Sequence, residues 1–209
     1  MTGIAYPLQS DSLLLAMDTL VSSHIPGSSA SGEAIGTCSK MHFLPSAHVL
    51  VCITGVGQLL PCWADALADT PDIEGIEQAC ELATRELPAI YSSLSPPAEL
   101  TSTVYQFGFS ARAGRVIGFE HKSAFDFAGK PLAEGLHAYP PDALDSLVAS
   151  TPSDRWGHCS FYIRLFDEMR RLDQAGPTDV RVGVGGHLEL AHLTREGCTS
   201  DVVHQFASS

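Results

Sequence analysis

The sequence predicts an α+β fold built from two stacked antiparallel sheets with helices outside each, a four-layer α-β-β-α sandwich. Two observations predict it. The elements come in blocks: strands, two helices, strands, two helices, strands. A parallel α/β protein would alternate one strand with one helix. The strands also read as continuous apolar runs, as strands covered on both faces do.

The elements follow in order. Residues 12–18, SLLLAMD, form a short apolar run of the length and composition of a buried strand. Residues 21–39, VSSHIPGSSASGEAIGTCS, are rich in Ser, Gly and Ala without periodicity and read as a long loop. Order resumes at Lys40, and residues 48–54, HVLVCIT, form a second buried strand closed by Gly55. Residues 59–67 and 73–94 read as helices. In the second, Ile76, Ala79, Cys80, Ala83, Leu87 and Ile90 recur at three- and four-residue spacing and make one apolar stripe. Pro88 is expected to kink or shorten it.

Residues 92–102 are a loop. Residues 103–111 and 115–122, separated by Arg112-Ala113-Gly114, form a hairpin. Helices follow at about 142–149 and 158–173, the second ended by Gly176-Pro177. Residues 180–186 and 188–197 give two final strands around a Gly-Gly turn. No repeat is visible, and residues 1–209 are read as one domain, a size at which a chain buries roughly 70% of its unfolded surface.

Composition narrows the function. Twelve basic residues face 24 acidic ones, a formal net charge of −12. Nucleic acid requires clustered Lys and Arg, and the one basic cluster, Arg170-Arg171 with Arg164, fits the polar face of a helix. Nucleic acid and anionic membranes are therefore excluded as partners. The stretch VLVCITGVGQLLPCWADALA is interrupted by Gly, Gln, Pro and Asp, unlike a membrane span. None of the six cysteines forms a CxxC pair and no signal peptide is evident, so the chain is read as cytoplasmic with reduced thiols.

Residues Thr2 to Thr19, TGIAYPLQSDSLLLAMDT, together with Lys40-Met41 and the strand ending Thr54-Gly55, resemble the start of mature proteasome β-type subunits. Thr2, Asp11, Ala16, Asp18, Thr19, Lys40 and Gly55 fall on the family's positions in order. Gly3 stands where such subunits often carry Thr or Ser. The resemblance covers about the first 55 residues and implies an N-terminal-nucleophile (Ntn) hydrolase. By that resemblance Thr2 is nucleophile and base, Lys40 tunes it, Asp18 orients Lys40, and the Gly55 N–H stabilises the oxyanion.

The chemistry is coherent. A hydroxyl needs a base to take its proton, and the α-amine of the same threonine can serve. With a pKa near 8 that amine is readily neutral, and an adjacent ammonium lowers its pKa further. Removal of Met1 is required, because an acylated amine accepts no proton. The resemblance also places supporting residues near 173–179, where Asp173, Thr178 and Asp179 are available.

The implied substrate is a peptide or small amide. The implied assembly is a homo-oligomer, and no cofactor or metal is needed. The alternative is a non-catalytic relative acting as a self-associating or binding scaffold. Among rival sites, His187 and Glu189 share a strand face that His192 does not, which argues against a metal centre. His158-Cys159 are neighbours in sequence and do not converge as a Cys–His pair.

Overall fold

A computed structural model describes residues 2–24, 31–71, 73–149, 151–152, 155–176 and 183–207. The strands in chain order are β1 (Ile4–Leu8), β2 (Ser12–Asp18), β3 (Leu20–His24), β4 (Ser31–Thr37), β5 (Met41–Leu44), β6 (Val49–Thr54), β7 (Thr103–Ser110), β8 (Arg115–Lys122), β9 (Gly129–Pro131), β10 (Gly135–Tyr139), β11 (His187–Thr194) and β12 (Cys198–Gln205). The helices are α1 (Leu59–Asp69), α2 (Ile76–Ser93), α3 (Asp142–Val148) and α4 (Cys159–Ala175).

Every strand pairing is antiparallel. One five-stranded sheet has the order β10-β1-β2-β11-β12, and the other β5-β6-β7-β8-β9. Strands β3 and β4 pair only with each other and form a third sheet.

The apolar runs have a simple cause: alternate residues of one strand enter two different cores. In β6, Leu50 and Cys52 face the other five-stranded sheet, whereas Val49, Val51 and Ile53 face α1 and α2. In β2, Leu13, Leu15 and Met17 enter the inter-sheet core, and Ala16 packs with Phe161, Leu165 and Phe166 of α4. Trp63, Phe107, Tyr162 and Phe166 are completely buried, one or two in each core. Each such burial contributes roughly 1.5–3 kcal/mol relative to an exposed side chain. The α2 stripe is buried as its spacing requires, through Ile76, Ala79, Ala83 and Leu87. That helix begins at Ile76, after Gly75 at φ 98°, and continues through Pro88 to Ser93.

The expected four-layer α-β-β-α sandwich is corrected. The chain is mainly β, with twelve strands in three antiparallel sheets and only four short helices among the described residues. Much of the difference lies in strands that carry little apolar signal. The Ser- and Gly-rich 21–39 segment contains most of the β3–β4 pair instead of a long loop. Residues 129–139 supply β9 and β10, and the largely exposed CTSDVVHQ forms β12. Residues 183–186, expected in a strand, are not one, and residues 180–182 lie outside the described residues.

Proline lacks the ladder donor and is ordinarily confined to an edge strand or a bulge, yet β1 lies between β10 and β2, with Pro7 opposite Leu136. The ladder to β2 skips Tyr6 and Pro7, pairing only Ile4, Ala5 and Leu8, so the missing donor falls in a gap. No helix among the described residues is long and apolar enough to cross a membrane.

Candidate active site

Strand β2 ends in Asp18, and the chain then crosses to β3. That turn brings one carboxylate into contact with three separate segments. Oδ1 accepts the Gly3 N–H at 2.8 Å. Oδ2 accepts the N–H groups of Leu20 at 3.1 Å and Gly185 at 3.2 Å. The Lys40 ammonium lies 3.2 Å from both oxygens. Asp18 is fully buried and Lys40 nearly so. Neither charge could be held there alone, since an unpaired buried ion costs several kcal/mol.

Thr19 completes the corner. Its N–H donates to the His187 carbonyl, and its Oγ1 accepts the His187 N–H at 2.8 Å. Lys40 is fixed from the other sheet, because its carbonyl accepts the Ile53 N–H at 3.2 Å, just before β5 joins β6. Two residues beyond Ile53 stands Gly55, in the left-handed region at φ 102°. A Cβ there would lie 2.2 Å from the Thr101 carbonyl oxygen, so only glycine fits. The next amide, Val56 N–H, is taken by Ser102 Oγ at 2.9 Å. The Gly55 N–H itself meets no acceptor among the described residues.

Burial pushes the Asp18 carboxyl up, opposed by the Lys40 charge and the Gly185 and Gly3 amides. Burial pushes the Lys40 ammonium down, opposed by Asp18.

Thr2 is buried and precedes Gly3 directly. Covalent geometry therefore holds Thr2 Cα within about 5 Å of Asp18 Oδ1. Thr2, Asp18 and Lys40 thus belong to one cluster at the ends of β2 and β6 and the starts of β1 and β5. Gly55 lies at that end of β6 and is exposed. Met1 lies outside the described residues, as do Thr178 and Asp179. Asp173 is in the last turn of α4, where Oδ2 accepts the Gly183 N–H at 3.0 Å and helps carry the chain toward Gly185.

Sequence reasoning missed the groups that saturate Asp18: the amides of Gly3, Leu20 and Gly185. A backbone donor leaves no mark in composition. Gly3 does have a legible reason, since a Cβ there would crowd Phe166 at 3.0 Å and Val184 at 3.2 Å. Among the rival residues, Glu189 accepts the Ser39 hydroxyl at 2.7 Å. No cluster of three metal-ligating side chains occurs among the described residues. All six cysteines are free.

No protein-family model matches the chain, and no curated protein is significantly similar to it.

Proposed function

We propose that the chain is an amide hydrolase of the threonine type, acting on a peptide or small amide. Thr2, with Met1 removed, is its nucleophile and base. The observation that supports this best is the buried Asp18–Lys40 pair, joined through the Gly3 amide to the residue after Thr2. In this reading the α-amine takes the Thr2 hydroxyl proton as the hydroxyl attacks the carbonyl carbon. Lys40 keeps the amine's pKa low by its charge, and Asp18 keeps Lys40 in place. The Gly55 N–H, which meets no acceptor among the described residues, stabilises the tetrahedral oxyanion. The amine then returns the proton to the leaving nitrogen, and water hydrolyses the resulting ester. No cofactor enters. A homo-oligomer and a cytoplasmic location, the latter in keeping with six free cysteines, complete the proposal.

The test is turnover of a fluorogenic peptide amide by protein with a free Thr2 amine. Thr2→Ser should retain activity and Thr2→Ala should lose at least about 1,000-fold, the scale on which loss of a covalent nucleophile acts. Equal rates for Thr2→Ala and the parent would reject the reading.

One observation favours a second reading, a scaffold without catalysis. Asp18 ties three backbone segments together, a structural task complete in itself. Protein with a free Thr2 amine that stays inert to amides and electrophiles while self-associating would select it.

A further inference from the structure

The inward-facing row of the β5–β9 sheet changes character across its width. It runs Met41, Cys52, Tyr105, Glu120, Lys130, each directly opposite the next in register. The first two are apolar core residues. The last three are a phenol, a carboxylate and an ammonium. Facing them from the other sheet, Tyr6 of β1 lies opposite His137 of β10, and their rings stack at 5.0 Å. Tyr6 and Tyr105 meet edge to face at 6.2 Å. Between β9 and β10, the free edges of the two sheets, a cleft of about 340 Å³ opens onto these five residues. That volume lies at the lower end of the range for small-molecule sites.

Two hydroxyls are available to an occupant of the cleft. Tyr6 is 4% exposed, yet its hydroxyl has no hydrogen-bond partner among the described residues; nor has that of Tyr105. Neither hydroxyl is sealed from solvent in the way the Tyr162 hydroxyl is. A buried phenol such as that of Tyr6 ordinarily finds a partner, and Tyr105 beside it is partly buried. Burial, and then the charges nearby, raises the pKa of both, so each remains an O–H donor. Beside them Glu120 is held by Lys122 and Lys130, each at 3.0 Å, and the two charged residues that line the cleft, Glu120 and Lys130, balance one another.

We propose that this cleft binds a small neutral polyhydroxylated molecule of monosaccharide size. A sugar hydroxyl both donates and accepts. A vicinal pair can donate to the Glu120 carboxylate and accept from Tyr6 and Tyr105, while the C–H face of the ring lies against the aromatic wall. Among the lining residues, an anion would be opposed by Glu120 and a cation by Lys130. The site is independent of Thr2 and of the hydrolase proposal. A purely protective role, an inward charge that blunts a sheet edge, would explain Glu120 but not the two unpartnered phenols.

The experiment is ligand-observed NMR and calorimetry on the full chain. The probes are D-glucose, D-galactose and myo-inositol, with acetate and ethylammonium as charged competitors. Saturable binding of at least one polyol is expected. Tyr6→Phe, Tyr105→Phe and Glu120→Gln should each weaken it about 10-fold or more, the scale of one lost hydrogen bond to a buried group. The phenylalanine variants keep the ring packing, so thermal unfolding close to the parent's confirms that the fold survives. Failure of all three polyols to bind overturns the proposal. So does affinity within twofold of the parent in the Tyr6→Phe and Tyr105→Phe variants, or displacement of the polyol by acetate or ethylammonium.

Discussion

Lys40 Nζ sits 3.2 Å from each oxygen of Asp18, and both side chains are almost wholly removed from water. The arrangement joins the two five-stranded sheets, since Asp18 ends β2 and Lys40 precedes β5. It also makes each residue's burial conditional on the other's. Replacing Asp18 by Asn turns one acceptor into an NH₂ group facing backbone N–H donors and strands the ammonium. The expected cost is about 3–5 kcal/mol of unfolding free energy. Adding Lys40→Met to that variant removes the stranded charge and should recover part of the loss. Chemical denaturation of the parent, both single variants and the double variant measures the coupling. Strictly additive losses would contradict a direct pair.

Gly55 gives a second, independent expectation. Its positive φ and the 2.2 Å approach to Thr101 O leave no room for a side chain. Gly55→Ala should destabilise by at least about 1–3 kcal/mol, the cost of a strained backbone position. It should also reduce any amide hydrolysis, because the following turn shifts. Gly57→Ala, where a Cβ meets nothing within 4 Å, is the control and should be nearly silent. Thermal unfolding of the two variants checks the contrast.

His121 sets an acid limit on stability. It is completely buried, Nδ1–H donates to the Phe127 carbonyl at 3.0 Å, and Nε2 has no partner among the described residues. Burial lowers its pKa below the ordinary 6.5, against smaller opposing effects from Phe127 and Glu120. The sign follows from linkage. Below about pH 6.5 the unfolded chain takes up a proton that the folded one resists, so stability present above that pH is lost as pH falls through the folded value. Urea unfolding between pH 7.5 and 5.5 should show declining stability. His121→Leu should flatten that decline whatever its absolute stability. A slope unchanged by the substitution would assign the effect elsewhere.

What could be read in the sequence followed the strength of local patterns. SLLLAMD and HVLVCIT are strands because both their faces meet cores, and apolar runs record that directly. The α2 stripe was legible for the same reason. The β3–β4 pair was not, because it covers no core and its Ser- and Gly-rich composition matches that of a loop. Nor was β12, whose residues are mostly exposed. Missing these strands made helices loom larger than they are, and the expected sandwich followed. At the candidate site, Thr2, Asp18, Lys40 and Gly55 were nameable from the resemblance, and Asp18 and Lys40 do meet. The amides that saturate Asp18 were invisible, as was the meeting of Tyr6 with Tyr105 and Glu120 across the two sheets. Register and sheet stacking, properties of no single segment, bring together residues more than 100 positions apart.

The most direct test of Thr2 as nucleophile is mass spectrometry of the intact protein before and after treatment with a threonine-directed electrophile, followed by peptide mapping. The expected result is a chain lacking Met1 that gains one adduct, mapped to Thr2 and absent from Thr2→Ala. A chain with a free Thr2 amine that gains no adduct, or gains it elsewhere, would contradict that role.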